Sequence, residues 1–379
     1  MRLLVVGAGH AALQLAASLR QGGFAGAITL LSDEAGLPYQ SPPLSKAWMA
    51  GDMSDAALAQ RPAAFYASQR IGLETAAVTA IDRAGRAVHT ADGRRFAYDH
   101  LVLATGARNR VLPIPGLELD GVCALRTLAD ARGLRERLAA APRIAIIGAG
   151  FIGLEFAAVA AARGLSVTVI EREGRALRRG VSAAMAAHIA AVHQGWGVRL
   201  LTGTGVRRLL GEGHVSAVET EAGAIVPADL VLVAAGVVPN SELAAEARLA
   251  VADGITVDAQ LGTADPAISA IGDCASFPGA DGPVRLESIQ NAVDQARCLA
   301  DRLCGKPAPY ARVPWFWSDQ GPLKLQIAGL SAGHDATVLR GDPASGAFSV
   351  ECLRGGRVIA VESLNRPGDH MAARRMLAG

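Results

Sequence analysis

The chain has few cysteines and no recognisable arrangement of them. Its 379 residues include five, at positions 123, 274, 298, 304 and 352, with no CxxC pair and no zinc-type spacing. A disulfide framework and a structural metal are therefore not indicated, and the thiols read as reduced, in a cytoplasmic protein. A charge excess is also missing: 37 Lys plus Arg against 35 Asp plus Glu leave +2. A nucleic-acid-binding face normally shows as a strong basic surplus, so no nucleic-acid partner is expected. Nor is there a run of the roughly 20 apolar residues that a membrane helix needs. The longest uncharged stretch, Leu3 to Leu19, is interrupted by Gly7, Gly9, His10 and Gln14, which argues against a secretory leader as well; no membrane association is expected. What is abundant is hydrophobic residues, 51% against 19% charged, which excludes intrinsic disorder. At about 100–200 residues per domain the length suggests two or three domains.

Arg2-Leu3-Leu4-Val5-Val6 is a short apolar run ending at Gly7, the pattern of a parallel strand buried on both faces. Gly7-Ala8-Gly9-His10-Ala11-Ala12 follows, then a helical stretch to Arg20, a second strand over 28–31, and Asp33, 26 positions beyond Gly7. This order is a dinucleotide fingerprint in its GxGxxA form. The first glycine permits the tight turn, and the second lets backbone approach a pyrophosphate. A small third residue, Ala11-Ala12 here, lets helix and strand pack closely. The free N–H groups of the helix meet the pyrophosphate, and the acid accepts hydrogen bonds from a ribose. The pattern returns 141 residues later: a strand over 143–147, Gly148-Ala149-Gly150-Phe151-Ile152-Gly153, a helix to about Arg163, a strand over 167–170, and Glu171. One such turn is weak grounds for a ligand. Two complete units imply two dinucleotides on one chain, with electrons passing between them.

Other stretches repeat the duplication. An apolar strand within Tyr98 to Arg108 closes on Ala104-Thr105-Gly106, and one within Ala228 to Gly236 closes on Ala234-Ala235-Gly236. A third strand ends in Gly272-Asp273-Cys274, whose carboxylate could bind the sugar hydroxyls of a flavin. Between the units lie Pro42-Pro43-Leu44-Ser45-Lys46 and Leu125-Arg126-Thr127; beyond them lie Pro239-Asn240, Pro314-Trp315-Phe316-Trp317-Ser318-Asp319-Gln320 and Asn365-Arg366-Pro367. With these motifs, from Val5 to about Leu377, the chain resembles the FAD-dependent NADH:ferredoxin reductases of bacterial oxygenase systems, the group of the putidaredoxin, rhodocoxin and ring-dioxygenase ferredoxin reductases. It departs from their pattern at Ser41, where arginine is usual, and at Leu261 to Asp265, which lacks a preceding arginine.

The resemblance implies an α/β fold: two Rossmann-like dinucleotide-binding domains of the glutathione-reductase-like kind and a C-terminal α+β domain. The FAD domain would comprise 1–107 plus 240–310, the NADH domain 108–239 and the C-terminal domain 311–379. FAD would contact Gly7, Gly9, Ala11, Asp33, Lys46, Val78, Arg126, Asp273 and Ile289. NADH would lie along Gly148, Gly150, Ile152, Gly153, Glu155 and Glu171. A lone lysine after a turn is by itself as readily a surface residue; the resemblance implies that Lys46 reaches toward flavin N5 and pairs with Glu155. Glu155 stands among Leu154, Phe156 and Ala157, where a charge is costly unless paired. Glu171 is the expected selector of NADH over NADPH, with Arg172 and Arg175 close enough to accommodate a 2′-phosphate. Ser288 is the expected N-cap of a helix over 288–303, whose N-terminus the family aims at the flavin N1/O2 edge. Trp315 is placed beside the flavin, toward the acceptor.

Disulfide reductases of this architecture carry redox cysteines on the helix after the first unit's second strand, where this chain has Pro42-Pro43-Leu44-Ser45. Cys274 reads as packing. Without a thiol the electrons must leave for an external acceptor, and a one-electron acidic 2Fe–2S ferredoxin, docking transiently, is the expected partner of a monomer or homodimer. Arg297, Arg302, Lys306, Arg312, Arg374 and Arg375 are candidates for its basic docking face. Rubredoxin, a nitrite reductase module or oxygen as acceptor, and a slowly reacting nucleotide-responsive binding flavoprotein like the apoptosis-inducing factors, are the alternatives. No metal ligand set is expected.

Overall fold

Arg2–Val6 forms the expected strand, buried at every residue but the first. It leads into the helix His10–Gln21 and, by a crossover, into the parallel strand Ala27–Ser32. On its other side Arg2–Val6 pairs with His100–Leu103, which pairs in turn with Ile268–Ala270, all parallel. Ile71–Thr75 completes the sheet beside Ala27–Ser32. The strand order therefore reverses at Arg2–Val6, and in doubly wound sheets ligands bind beyond the carboxyl ends of the strands at such a point. The helices His10–Gln21 and Ile289–Leu303 pack on each other. Ala11, Ala12 and Ala16 on one and Ala292, Ala296 and Ala300 on the other are all buried, and such small side chains permit a close approach.

The structure, a computed structural model, describes residues 1–378. Packing divides the chain into two units, the first made of Met1–Gln40, Leu58–Arg108 and Val238–Arg312. Where its segments meet, the Thr105 hydroxyl donates to the Asn240 carbonyl at 2.6 Å and the Asn240 amide to the Thr105 carbonyl at 2.8 Å. The separate Ala104-Thr105-Gly106 and Pro239-Asn240 motifs thus form one joint.

The second unit contains Ser41–Ala57, Asn109–Val237 and the chain from Val313 on. Its parallel sheet runs Arg199–Leu201, Ser166–Ile170, Arg143–Ile147, Leu230–Val233, Val122–Ala124, with the helix Phe151–Ala162 as the first crossover. A separate antiparallel sheet runs Trp315–Gln320, Leu323–Gly329, Arg357–Leu364, Ala347–Arg354, Ala336–Asp342, and the helix Pro367–Leu377 packs on it through Ala373 and Leu377 against Ala328, Val358 and Val361. The turn Pro42–Ser45 and helix Ala47–Ala50 are anchored here by Trp48, fully buried under the Arg135 guanidinium at 3.7 Å from the ring centre. The architecture is the expected one: parallel Rossmann-like cores followed by an antiparallel sheet with a helix. Among the described residues no helix is long and apolar enough to cross a membrane, and no cluster of three His, Cys, Asp or Glu could hold a metal.

Candidate active site

In the first unit, Gly7 has φ +107°, and a Cβ there would stand 2.2 Å from the Ala104 carbonyl oxygen; no side chain fits. Gly9 is different. Its φ is −73°, open to any residue, yet a Cβ would meet nothing within 4 Å. That empty space lies in front of a helix whose N-terminus has no side-chain cap, leaving backbone N–H groups for an anion. Gln295, fully buried on the neighbouring helix, accepts the Gly272 N–H at 2.7 Å, while its own amide nitrogen has no protein partner. Free donors and unfilled room fit a dinucleotide such as FAD. Ala11 lies beneath, with Gly272 so close that a Cβ there would reach within 3.2 Å of it. Asp273 occupies the adjoining turn Gly272–Cys274. Burial lowers His10, in the first turn of the helix, to about 4 against the pull of Asp273, so its ring is neutral. Asp33 is exposed just past the strand end. Val78 packs on the core of this unit, and Ile289 opens the helix capped by Ser288, whose Oγ accepts the Asn291 N–H at 3.1 Å.

The second unit repeats the turn. Gly148 has φ +108° and a would-be Cβ 2.4 Å from the Ala234 carbonyl oxygen, Gly150 faces open space, and Gly153 has room only for hydrogen, 2.2 Å from the Gly148 oxygen. Ile152 lies in the first turn of the helix, partly exposed. The Glu171 carboxylate, expected at a ribose, also braces the turn: it accepts the Ala149 N–H at 2.7 Å and the Glu173 N–H at 2.8 Å. Of the two arginines thought able to hold a 2′-phosphate, Arg175 is committed to the Arg178 and Val181 carbonyls. Arg172 is exposed, 3.6 Å from Glu221. Arg126 stands just before the helix Leu128–Leu138, its backbone N–H held by Asp130 at 3.0 Å.

Glu155, in the middle of Phe151–Ala162, is buried and surrounded by donors. Lys46 Nζ is 3.1 Å from Oε1, Ser318 Oγ donates to Oε1 at 2.7 Å, and Ser45 Oγ donates to Oε2 at 2.6 Å. Burial pushes this carboxyl above the ordinary carboxylate value, while Lys46, then the Ser318 and Ser45 hydroxyls, pull it back. The structure therefore brings together the lysine and the glutamate that the sequence reading linked. It also adds Ser45 and Ser318, which lie inside the Pro42–Lys46 and Pro314–Gln320 motifs but carry no sequence signal of this role. Trp317 is the tryptophan at Lys46, its ring centre 5.9 Å from Nζ. Trp315 lies one ring further away, 5.5 Å from Trp317, with the Arg374 guanidinium 4.6 Å over it.

Two other expectations resolve. Cys274 is fully buried with its Sγ near the Leu103 and Ile271 carbonyls, and burial raises the thiol; it is packing. Arg302 is a correction: its guanidinium donates to the Gln260 carbonyl at 2.8 Å and Ser269 Oγ at 2.6 Å. It is tied into the fold and drops out of the docking face, because helix 288–303 turns that side inward. Arg297, Lys306, Arg312 and Arg375 are exposed.

The sequence matches the pyridine nucleotide-disulphide oxidoreductase family over residues 1–296 and the reductase C-terminal family over 315–379. Rhodocoxin reductase of Rhodococcus erythropolis is 50% identical over 382 residues, which cover 100% of this chain and 90% of the relative. The crystal structure of the ferredoxin reductase for the CYP199A2 system from Rhodopseudomonas palustris superposes with a TM-score of 0.98 at 47% identity, covering 100% of this chain and 94% of that one. The reductase in the covalent putidaredoxin reductase–putidaredoxin complex gives 0.96 at 40% identity, covering 100% and 93%. The chain belongs to the pyridine nucleotide-disulphide oxidoreductase family, among its ferredoxin reductases, flavoprotein oxidoreductases that use FAD and NAD(P)H.

Proposed function

We propose that this protein is an NADH:ferredoxin reductase that supplies a 2Fe–2S ferredoxin serving a cytochrome P450 or a ring-hydroxylating oxygenase. The observation that carries this is the turn Pro42–Ser45, which delivers Ser45 and Lys46, not a thiol, to Glu155. With no sulfur relay at that place, the electrons of NADH go to an outside acceptor, and proteins similar along the whole chain bear the names of ferredoxin reductases. When bound, FAD supplies hydride acceptance from NADH and one-electron release.

The residues of this chain bind and orient. Gly7, Gly9, Ala11, Asp33, Val78, Asp273 and Ile289, with Lys46 and Arg126, would hold FAD in a domain of 1–107 plus 240–310. Gly148, Gly150, Ile152, Gly153 and Glu171 would hold NADH in a domain of 108–239, followed by a C-terminal domain of 311–379. Glu155 fixes the Lys46 ammonium at 3.1 Å, and this cation would serve the flavin at N5 when FAD is bound. Trp315, stacked near Trp317, would lie beside the flavin and face the acceptor, and Arg374 and Arg375 attract an acidic ferredoxin. The protein works in the cytoplasm.

Purified protein should be yellow, bleach rapidly with NADH, and reduce cytochrome c only when a 2Fe–2S ferredoxin is added. Equal cytochrome c reduction without ferredoxin, or slow bleaching, would refute the assignment. Changing Arg374 and Arg375 together to alanine should lower the ferredoxin-dependent rate several-fold and leave the ferricyanide rate unchanged.

A further inference from the structure

The strand Trp315–Gln320 has an unusual buried face. Ser318 is 0% and Gln320 1% exposed, and opposite them on the helix Ala183–Gly195 His193 is also 0% exposed. Buried hydroxyl, amide and imidazole groups are costly unless bonded, and here they are bonded in series. His193 Nε2 is 2.8 Å from Gln320 Oε1, Gln320 Nε2 donates to Ser318 Oγ at 3.3 Å, and Ser318 Oγ donates to Glu155 Oε1 at 2.7 Å.

The far end sets the direction of every bond. A carboxylate facing an ammonium only accepts, so the Ser318 hydroxyl must point its hydrogen at Glu155. Its oxygen then receives the Gln320 amide, which turns the Gln320 carbonyl toward His193, and His193 must carry its proton on Nε2. Consistent with that tautomer, His193 Nδ1 has no partner. The groups facing Glu155 are Lys46 and Ser45 from the Pro42–Ser45 region and Ser318 from the strand; its own helix, Phe151–Ala162, carries no other ionisable residue. The Asp319 carboxylate is held by Lys324 at 3.2 Å.

We propose that Ser318, Gln320 and His193 are positioning residues for Glu155: a one-way chain of donors that holds Oε1 as a fixed anionic acceptor and so fixes the Lys46 ammonium. The chemical purpose rests on the proposed reductase function; the chain itself does not. If one link is lost, Ser318 can turn, Glu155 takes a proton more readily, and Lys46 loses its anchor.

The test uses the FAD-loaded protein labelled with ¹³C at the glutamate carboxyls, with the Glu155 resonance assigned by its disappearance in Glu155→Gln. Its titration midpoint should rise by about one pH unit in Ser318→Ala, the tenfold change expected for one hydrogen bond to a charged group. The shift should be smaller in Gln320→Leu and absent in Ser318→Thr, which keeps the hydroxyl. The pH dependence of NADH bleaching should move with it. An unmoved Glu155 midpoint in a Ser318→Ala protein that melts like the wild type overturns the proposal. A second measurement needs no variant: ¹⁵N spectra of wild-type His193 should show Nε2 protonated and Nδ1 bare, and the opposite tautomer overturns the proposal as well. Should the carboxyl midpoint move while NADH fails to bleach even the wild type, the chain of donors stands and the reductase reading falls.

Discussion

Replacing Lys46 with methionine removes the cation paired with Glu155 and leaves a carboxyl buried among Ser45, Ser318 and apolar helix neighbours. Breaking a buried ion pair by removing one partner costs about 3–5 kcal/mol while the other partner stays charged. Glu155 can escape that cost by binding a proton, so the penalty depends on pH. Burial already holds its folded-state value above the unfolded one, with Lys46 the largest opposing influence. For a carboxyl raised in this sense, the folded state binds the extra proton. Stability is fully present below the unfolded value, about 4.3, and is lost as pH rises toward the folded value, by up to about 1.4 kcal/mol per pH unit. Lys46→Met pushes the folded value higher and extends that loss through neutrality. The variant should therefore lose stability more steeply than the wild type as pH rises, by up to about 1.4 kcal/mol per pH unit wherever its carboxyl alone keeps the extra proton. Urea midpoints measured through neutrality give the slope. Lys46→Met/Glu155→Gln, in which a neutral amide accepts from one of the two hydroxyls and donates to the other, should show no added slope. Midpoints of Lys46→Met that run parallel to the wild type at every pH would refute the claim that Lys46 neutralises Glu155.

The paired glycines separate folding from binding. Gly7→Ala meets both a positive φ and the Ala104 carbonyl, so it should fail to yield folded protein; Gly9→Ala should fold and melt normally but retain little flavin absorbance, and full flavin content would move the cradle elsewhere. Glu171→Ser should raise the NADPH/NADH ratio of kcat/KM by on the order of tenfold and also weaken NADH use, because Glu171 braces Ala149; an unchanged ratio refutes its role. His100 is buried, 2.9 Å from Ser269 Oγ, and lowered to about 4 by burial and then Arg302. A depressed histidine contributes stability above its unfolded value near 6.5 that fades as pH falls through about 4, by up to about 3 kcal/mol. Urea midpoints of His100→Gln should accordingly fall less steeply on acidification, and an identical acid limb would count against the buried neutral ring.

What was legible in the sequence was local. The turns at Gly7 and Gly148 declare themselves because strand, glycines, helix and acid follow one another within about 30 residues. The helix Ile289–Leu303 was legible because Ser288 caps it three residues from its bond partner. The cluster around Glu155 is not local: Ser45 lies 110 positions away and Ser318 163. No periodicity reports such pairings, and the Lys46–Glu155 link came only through family resemblance. Arg302 misled for a related reason: a charge near the end of a helix reads as exposed, and nothing in the neighbouring residues reports that Ser269 and Gln260 lie within its reach.

The choice between two tryptophans shows where such reading stops. Trp315 and Trp317 lie on the same side of one strand because side chains alternate with period two, so composition and pattern treat them alike. Which one stands at Lys46 follows from register: Trp317 pairs with Gln326 and Trp315 with Ala328, one step further along. The same alternation assigns Ser318 and Gln320 to the opposite face, and hydropathy would put the tryptophans in the core and the polar pair in water. The structure does the reverse, with Ser318 and Gln320 sealed and both tryptophans part-exposed. A strand that buries its polar face and shows its aromatic one loses burial energy to do so. Such a conflict between local pattern and final placement is expected where function, not stability, has set the residues, and the strand Trp315–Gln320 displays it on both of its faces.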